Sequence, residues 1–248
     1  MPRLTPALLG LLLVACDTTP GATDRAFQAS GEVIAMSGGA GGPGNACFTC
    51  HGLKGEGDTA STPRLAGLDQ GYLQKQMEDY ASGLRQDDVM TRVARGLSPV
   101  ARRAVAGWYA SLPVPAPAAT TAPPAPPRVW FVGDERRGIT ACAACHGNQG
   151  QGAGRSYPQL AGQPAAYTLD QIDRWKAGKR RNDPRGVMAA AVQRLSDGEA
   201  RAIAAWLSTR PGAPTTAEAQ GASAATLDAV ARPAASGETR RPARSDGG

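Results

Sequence analysis

Residues 47–51 read Cys47-Phe48-Thr49-Cys50-His51, and residues 142–146 read Cys142-Ala143-Ala144-Cys145-His146. On a helical turn, positions i, i+3 and i+4 share one face. Two thiols and one imidazole then project together. This lets two thiols add to the two vinyl groups of one porphyrin and leaves the adjacent imidazole facing the iron, which is the pattern of c-type haem attachment. A zinc site or a redox dithiol uses the same residue types. Duplication favours haem, because the pattern occurs twice and takes up both His and four of the 5 Cys.

The flanks of the two motifs are also copies of each other. A shift of 95 residues places Gly52, Gly55 and Gly57 on Gly147, Gly150 and Gly152, and Pro63-x-Leu65-Ala66-Gly67 on Pro158-x-Leu160-Ala161-Gly162. Tyr72, Gln76, Gly83 and Arg85 fall on Tyr167, Gln171, Gly178 and Arg180. After a gap of three residues, Met90, Leu97, Ser98, Trp108 and Pro113 match Met188, Leu195, Ser196, Trp206 and Pro211. The chain is a tandem duplication.

Each copy reads as all-α. Tyr72 to Gly83 and Tyr167 to Gly178 are predicted helices ending at Gly. Ser196-x-x-Glu199 is a capping box. Ala202, Ile203, Trp206 and Leu207 follow it at helical spacing, and Ala101, Ala104, Val105 and Trp108 keep the same phase in copy one. A unit of about 70 residues is marginal by surface-to-volume scaling and needs a staple, which a covalently held haem supplies.

A six-coordinate iron needs a second axial ligand, and no His is left. A thioether is the remaining good candidate, and His/Met ligation raises the potential. Met188 is the only Met after His146. In copy one Met90 aligns with Met188, whereas Met77 aligns with Ile172 inside a helix and reads as core packing.

With these residues in place, both copies resemble class I cytochrome c domains, and the tandem arrangement resembles the dihaem cytochrome c4 and cytochrome c553-type family. The resemblance spans 31–113 and 129–211. It implies two covalently bound haem c groups on Cys47, Cys50, Cys142 and Cys145, with His51, Met90, His146 and Met188 as axial ligands. It also implies that Pro63 and Pro158 supply the carbonyl that holds the axial His. The sequence departs from the family in a loop before Met90 that is three residues shorter, and in a longer linker and tail. The long linker leaves open whether the two domains pack face to face.

Outside the copies, residues 1–15 read as a signal peptide ending Leu13-Val14-Ala15-Cys16, which resembles a bacterial lipoprotein box with Cys16 lipidated. Residues 16–30 are then a tether, 114–128 a Pro/Ala-rich linker and 212–248 a disordered tail. Ser37 to Gly44 reads as too Gly-rich for regular structure. No apolar run reaches about 18 residues, so no spanning helix is expected.

Formal net charge is +6. Residues 45–113 carry 8 basic and 7 acidic groups, and residues 128–211 carry 13 and 7. Arg174, Lys176, Lys179, Arg180, Arg181 and Arg185 therefore suggest a docking patch for an acidic redox partner. Arg85 and Arg180 are also possible partners of haem propionates. Nucleic acid is not an expected partner.

The leading expectation is an electron-transfer protein, not an enzyme. It would be lipid-anchored on the periplasmic side of the bacterial inner membrane. The resemblance implies donors such as a quinol–cytochrome c reductase and a terminal oxidase as acceptor. The alternative is the electron-accepting cytochrome subunit of a periplasmic dehydrogenase, of flavocytochrome or alcohol dehydrogenase type. A haem peroxidase or gas sensor requires an open iron position and is the minor alternative.

Overall fold

Local start and stop residues set the helices. The computed structural model describes residues 30–58, 60–117, 122–183 and 185–212. The signal peptide, almost all of the tether including Cys16, residues 118–121 of the linker and the tail from residue 213 lie outside the described residues. Copy one holds α1 (Gly31–Ser37), α2 (Phe48–His51), α3 (Gln70–Ser82), α4 (Asp88–Arg95) and α5 (Pro99–Ser111). Copy two holds α6 (Arg128–Val132), α7 (Ala143–His146), α8 (Ala165–Lys176), α9 (Val187–Gln193) and α10 (Asp197–Ser208). Among the described residues there is no strand, only isolated bridges.

Helix α3 begins at Gln70, capped by Asp69, whose carboxylate accepts from Tyr72 N–H, and ends at Ser82, capped by Gly83 in the left-handed region. It therefore starts two residues before the expected Tyr72. In α8 the helix stops at Lys176, with Ala177 as its cap, ahead of the expected Gly178. Ser196 and Glu199 form the capping box of α10.

Three expectations need correction. Ser37–Gly44 is not irregular: Ser37 closes α1, and short 3-10 turns follow at Gly39–Gly41 and Pro43–Asn45. Gly38 makes this possible with a φ of 80°, at a place where a Cβ would lie 1.8 Å from the Gly42 carbonyl oxygen. The buried face of α5 is also rotated by one residue. Arg102, Val105, Ala106 and Tyr109 are buried, while Trp108 is half-buried. A charged side chain in the buried stripe hid the true phase. In α10, Ala202 is exposed and Ala204 buried.

In copy one, α1 and α3 pack on α5, and α4 packs on α3. Ile34, Leu73, Leu97, Val105 and Tyr109 form the centre of that core. In copy two, α9 and α10 pack on α8, and Trp130, Trp175, Ile203, Trp206 and Leu207 fill the core.

The two copies pack against each other about a local two-fold. Equivalent residues meet on its axis: Arg85 pairs with Arg180 in an antiparallel bridge, and Arg64 donates to Gln159 at 2.7 Å. Off the axis the contacts are reciprocal, as an isologous interface requires. In copy one, Lys75 and Asp79 form an ion pair that holds Asn182, with Lys75 donating to its carbonyl and Asp79 accepting from its amide. In copy two the equivalent positions are Asp170 and Arg174, with the charges exchanged. There Arg174 reaches the Asp87 carboxylate at 3.6 Å.

Candidate functional site

Each Cys-x-x-Cys-His forms a single helical turn. Helix α2 runs Phe48–His51 with Cys47 as its cap, and α7 runs Ala143–His146 with Cys142 as its cap. None of the four thiols is in a disulfide. Cys47, Cys142 and Cys145 are half-buried and Cys50 is exposed. Burial pushes the Cys47 and Cys142 thiols up to about 11.

Both imidazoles are buried and held by one carbonyl. His51 Nδ1 donates to the Pro63 oxygen at 3.0 Å, and His146 Nδ1 donates to the Pro158 oxygen at 2.9 Å. Burial keeps both rings below the usual imidazole range, so both are neutral. A carbonyl can only accept, so Nδ1 carries the proton and Nε2 keeps its lone pair for a metal. The carbonyl also orients the ring and raises its basicity as a ligand. The proline loops are folded over the motifs by backbone bonds. Gly57 N–H donates to the His51 oxygen, and Gly152 N–H to the His146 oxygen, each at 2.8 Å.

The methionines sit in short helices downstream. Met90 in α4 is half-buried, and its N–H donates to Asp87 at 2.9 Å. Met188 in α9 is half-buried, and its N–H donates to Asp183. The three-residue gap lies between these anchors: Asp87 is the N-cap of α4, whereas α9 starts after the left-handed Gly186. Met188 packs against the same core cluster as Cys142. In copy one the methionine in the cluster with Cys47 is Met77, and Met90 lies outside that cluster.

Arg85 and Arg180 lie at the interface of the copies. Arg85 is buried and donates to Gln76, Gln171 and the Tyr167 hydroxyl at 2.7 to 3.1 Å. Arg180 donates to Gln171 at 2.7 Å and to Asn182 at 3.0 Å. The ion pairs among the described residues include neither guanidinium. Two juxtaposed cations held only by neutral acceptors fit a site for anions, and each haem carries two propionates. Together with two thiols and a neutral imidazole in one turn, this donor set fits haem c in each copy.

The expected basic patch is smaller than its sequence. Arg174 pairs with Asp170 at 2.7 Å, Lys176 with Asp197 at 3.2 Å, and Arg180 points into the interface. Lys179, Arg181 and Arg185 remain exposed. Arg64, which the sequence did not single out, is 2% exposed and bridges the copies. Its signal was visible, since it is a charged residue aligned with the neutral Gln159 inside an otherwise matching Pro-x-Leu-Ala-Gly segment.

A family model described as cytochrome c matches residues 43–106 and 139–211. The thiosulfate dehydrogenase electron acceptor of Stutzerimonas stutzeri (strain A1501) is 40% identical over 185 residues, covering 73% of this chain and 86% of that one. The cytochrome c4 of Thiocapsa roseopersicina is 34% identical over 165 residues, covering 65% and 85%. The solved thiosulfate dehydrogenase TsdBA from Marichromatium purpuratum, in its "as isolated" form, aligns with a TM-score of 0.64 and 38% identity. The match covers 75% of this chain and only 40% of that one. Reduced recombinant cytochrome c4 from Pseudomonas stutzeri aligns with a TM-score of 0.61 and 26% identity, covering 67% and 96%.

Proposed function

The chain belongs to the cytochrome c family as a dihaem class I member, and on that premise we propose that it accepts electrons from a thiosulfate dehydrogenase. It is an electron-transfer protein carrying two covalently bound haem c groups. The observation that carries the specific partner is the 40% identity to thiosulfate dehydrogenase electron acceptors, which runs over most of both chains.

Bound haem supplies one-electron iron redox chemistry. In this reading Cys47, Cys50, Cys142 and Cys145 would hold the two groups covalently, and His51 and His146 would offer Nε2 to the iron. Met90 and Met188 would supply the second iron ligand in their copies. Pro63 and Pro158 fix the imidazoles through their carbonyls, and Arg85 and Arg180 would receive propionates at the interface. Two one-electron centres on one chain can empty a two-electron donor in a single encounter. The exposed Lys179, Arg181 and Arg185 offer positive charge to steer an acidic donor. Cys16 carries the lipid that tethers the protein to the periplasmic face of the inner membrane.

The test mixes purified holoprotein with thiosulfate dehydrogenase and thiosulfate and follows haem reduction in the visible. Rapid uptake of two electrons per chain supports the reading. Reduction no faster than with thiosulfate alone overturns it. The similarity to cytochrome c4 favours a second reading, a shuttle from a quinol–cytochrome c reductase to a terminal oxidase. Fast reduction by that complex and none by the dehydrogenase selects it. Replacing Cys16→Ser should move the protein from the membrane to the soluble fraction, and a variant that stays with the membrane overturns the anchor.

A further inference from the structure

We propose that Arg64 is a positioning residue, a buried cation that ties the two axial-histidine loops together and holds up the reduction potentials of both haems. This rests on His51 and His146 being the axial ligands.

The geometry is specific. Arg64 directly follows Pro63, whose carbonyl holds His51 at 3.0 Å. Its equivalent in the repeat, Gln159, directly follows Pro158, whose carbonyl holds His146 at 2.9 Å. These two equivalents touch, with Arg64 Nη2 donating to Gln159 Oε1 at 2.7 Å. The same nitrogen donates to the Ala161 oxygen at 2.8 Å, and Nη1 donates to the Ala66 oxygen. Gln163 clamps the Arg64 backbone from the other copy, accepting from its N–H at 3.1 Å and donating to its carbonyl at 3.0 Å. One guanidinium thus spans both Pro-x-Leu-Ala-Gly loops, and Arg64 and its contact Gln159 each directly follow the proline whose carbonyl orients a ligand.

The charge is uncompensated. Arg64 is 2% exposed, its contacts are neutral oxygens, and its Nε has no hydrogen-bond partner. Among the described residues it forms no ion pair. Burial lowers its pKa only to about 10, so it stays protonated at neutral pH. Burying an unpaired cation is unfavourable for folding. The second copy shows that the fold does not demand it, since Gln159 occupies the equivalent place as a neutral side chain. Oxidation of either haem would add one positive charge to an iron whose His is held by the loop that carries Arg64 or its contact Gln159. Repulsion disfavours the oxidised form, and low dielectric strengthens the effect.

The experiment is a potentiometric titration of the full holoprotein, followed in the visible, for wild type, Arg64→Gln, Arg64→Lys and Gln159→Glu. Arg64→Gln should shift both one-electron equilibria toward oxidation by about tenfold, which is about 59 mV. Arg64→Lys keeps the charge and should stay within about twofold of wild type by the same reasoning. Gln159→Glu leaves Arg64 in place, gives it a counter-ion and should lower both potentials. It decides the matter if Arg64→Gln fails to fold. Unchanged potentials in Arg64→Gln, or a shift in Arg64→Lys as large as in Arg64→Gln, overturn the proposal, as does an unmoved Gln159→Glu. A wild type that lacks two haems or their iron–thioether bands overturns the ligand assignment instead, independently of Arg64.

Discussion

Arg102→Met removes a guanidinium that supports the helix carrying Met90. Arg102 is 7% exposed. It donates through Nη1 to the carbonyls of Ala94 and Leu97, and grips Glu78 on α3 through Nε at 3.0 Å and Nη2 at 2.8 Å. Met fills the space of the aliphatic stem but donates nothing. The Leu97 carbonyl then loses its side-chain donor in a buried place, at about 1–3 kcal/mol. The Ala94 carbonyl keeps the N–H groups of Gly96 and Leu97 and loses less. Glu78 is 40% exposed and turns to water, so the ion pair adds about 1 kcal/mol or less. The sum is about 3 kcal/mol of stability in copy one. With a urea slope of about 1.5 kcal/mol per M for so small a domain, the midpoint falls by about 2 M. Urea is preferred to guanidinium because it does not screen the ion pair. The equivalent position in copy two is Ala200, so that copy should unfold as in wild type. Repeating the titration in a Met188→Ala background, where the remaining thioether band reports copy one alone, separates the copies. A midpoint shift in copy one below about 0.5 M would refute the assignment of Arg102 as the support of α4.

Asn182→Ala should loosen the two-fold interface by about 2 kcal/mol, because its amide donates to Gln76 at 2.9 Å and to Asp79 at 2.6 Å from the other copy. Faster proteolysis of the linker with both haem spectra unchanged is the readout. Glu199 is held down at about 2 by its hydrogen bonds from Arg137, below its ordinary value of 4.5. Its contribution is present above pH 4.5 and is lost as pH falls toward about 2, so Glu199→Gln should destabilise copy two at pH 7 by about 1 kcal/mol and not at pH 2. Thermal melts at the two pH values check this. Gly150→Ala forces a Cβ to 2.6 Å from the Leu207 side chain at a φ of 74°. Gly154→Ala, at a φ of 68° with nothing within 4 Å, carries only the left-handed cost of about 1 kcal/mol. Gly150→Ala should therefore lower the midpoint clearly more than Gly154→Ala.

What was legible in the sequence was local or repeated. Cys-x-x-Cys-His is confined to one turn, Ser196 and Glu199 to another, and the alignment of Met90 with Met188 needs only the duplication. The interface was not legible, because it depends on side chains about a hundred positions apart in the chain. Nothing in the i,i+4 spacing of Lys75 and Asp79 shows that Asn182 of the other copy is held by both. Arg180 read both as docking charge and as a propionate partner, because nothing local shows that it points into the interface. The phase of α5 was misread because Arg102 breaks the apolar stripe, and only Glu78 on α3 explains why a charge is tolerated there. The bond from His51 to Pro63 came from family resemblance, since the two lie twelve positions apart across a loop.

His/Met ligation of one haem in each copy is tested most directly by the iron–thioether charge-transfer band of the oxidised holoprotein. Met90→Ala and Met188→Ala should each remove about half of the wild-type band, in line with one thioether per haem. Met77→Leu, which alters only core packing, should leave it whole. A full band in Met90→Ala, or loss of half the band in Met77→Leu, would contradict the ligand set in copy one.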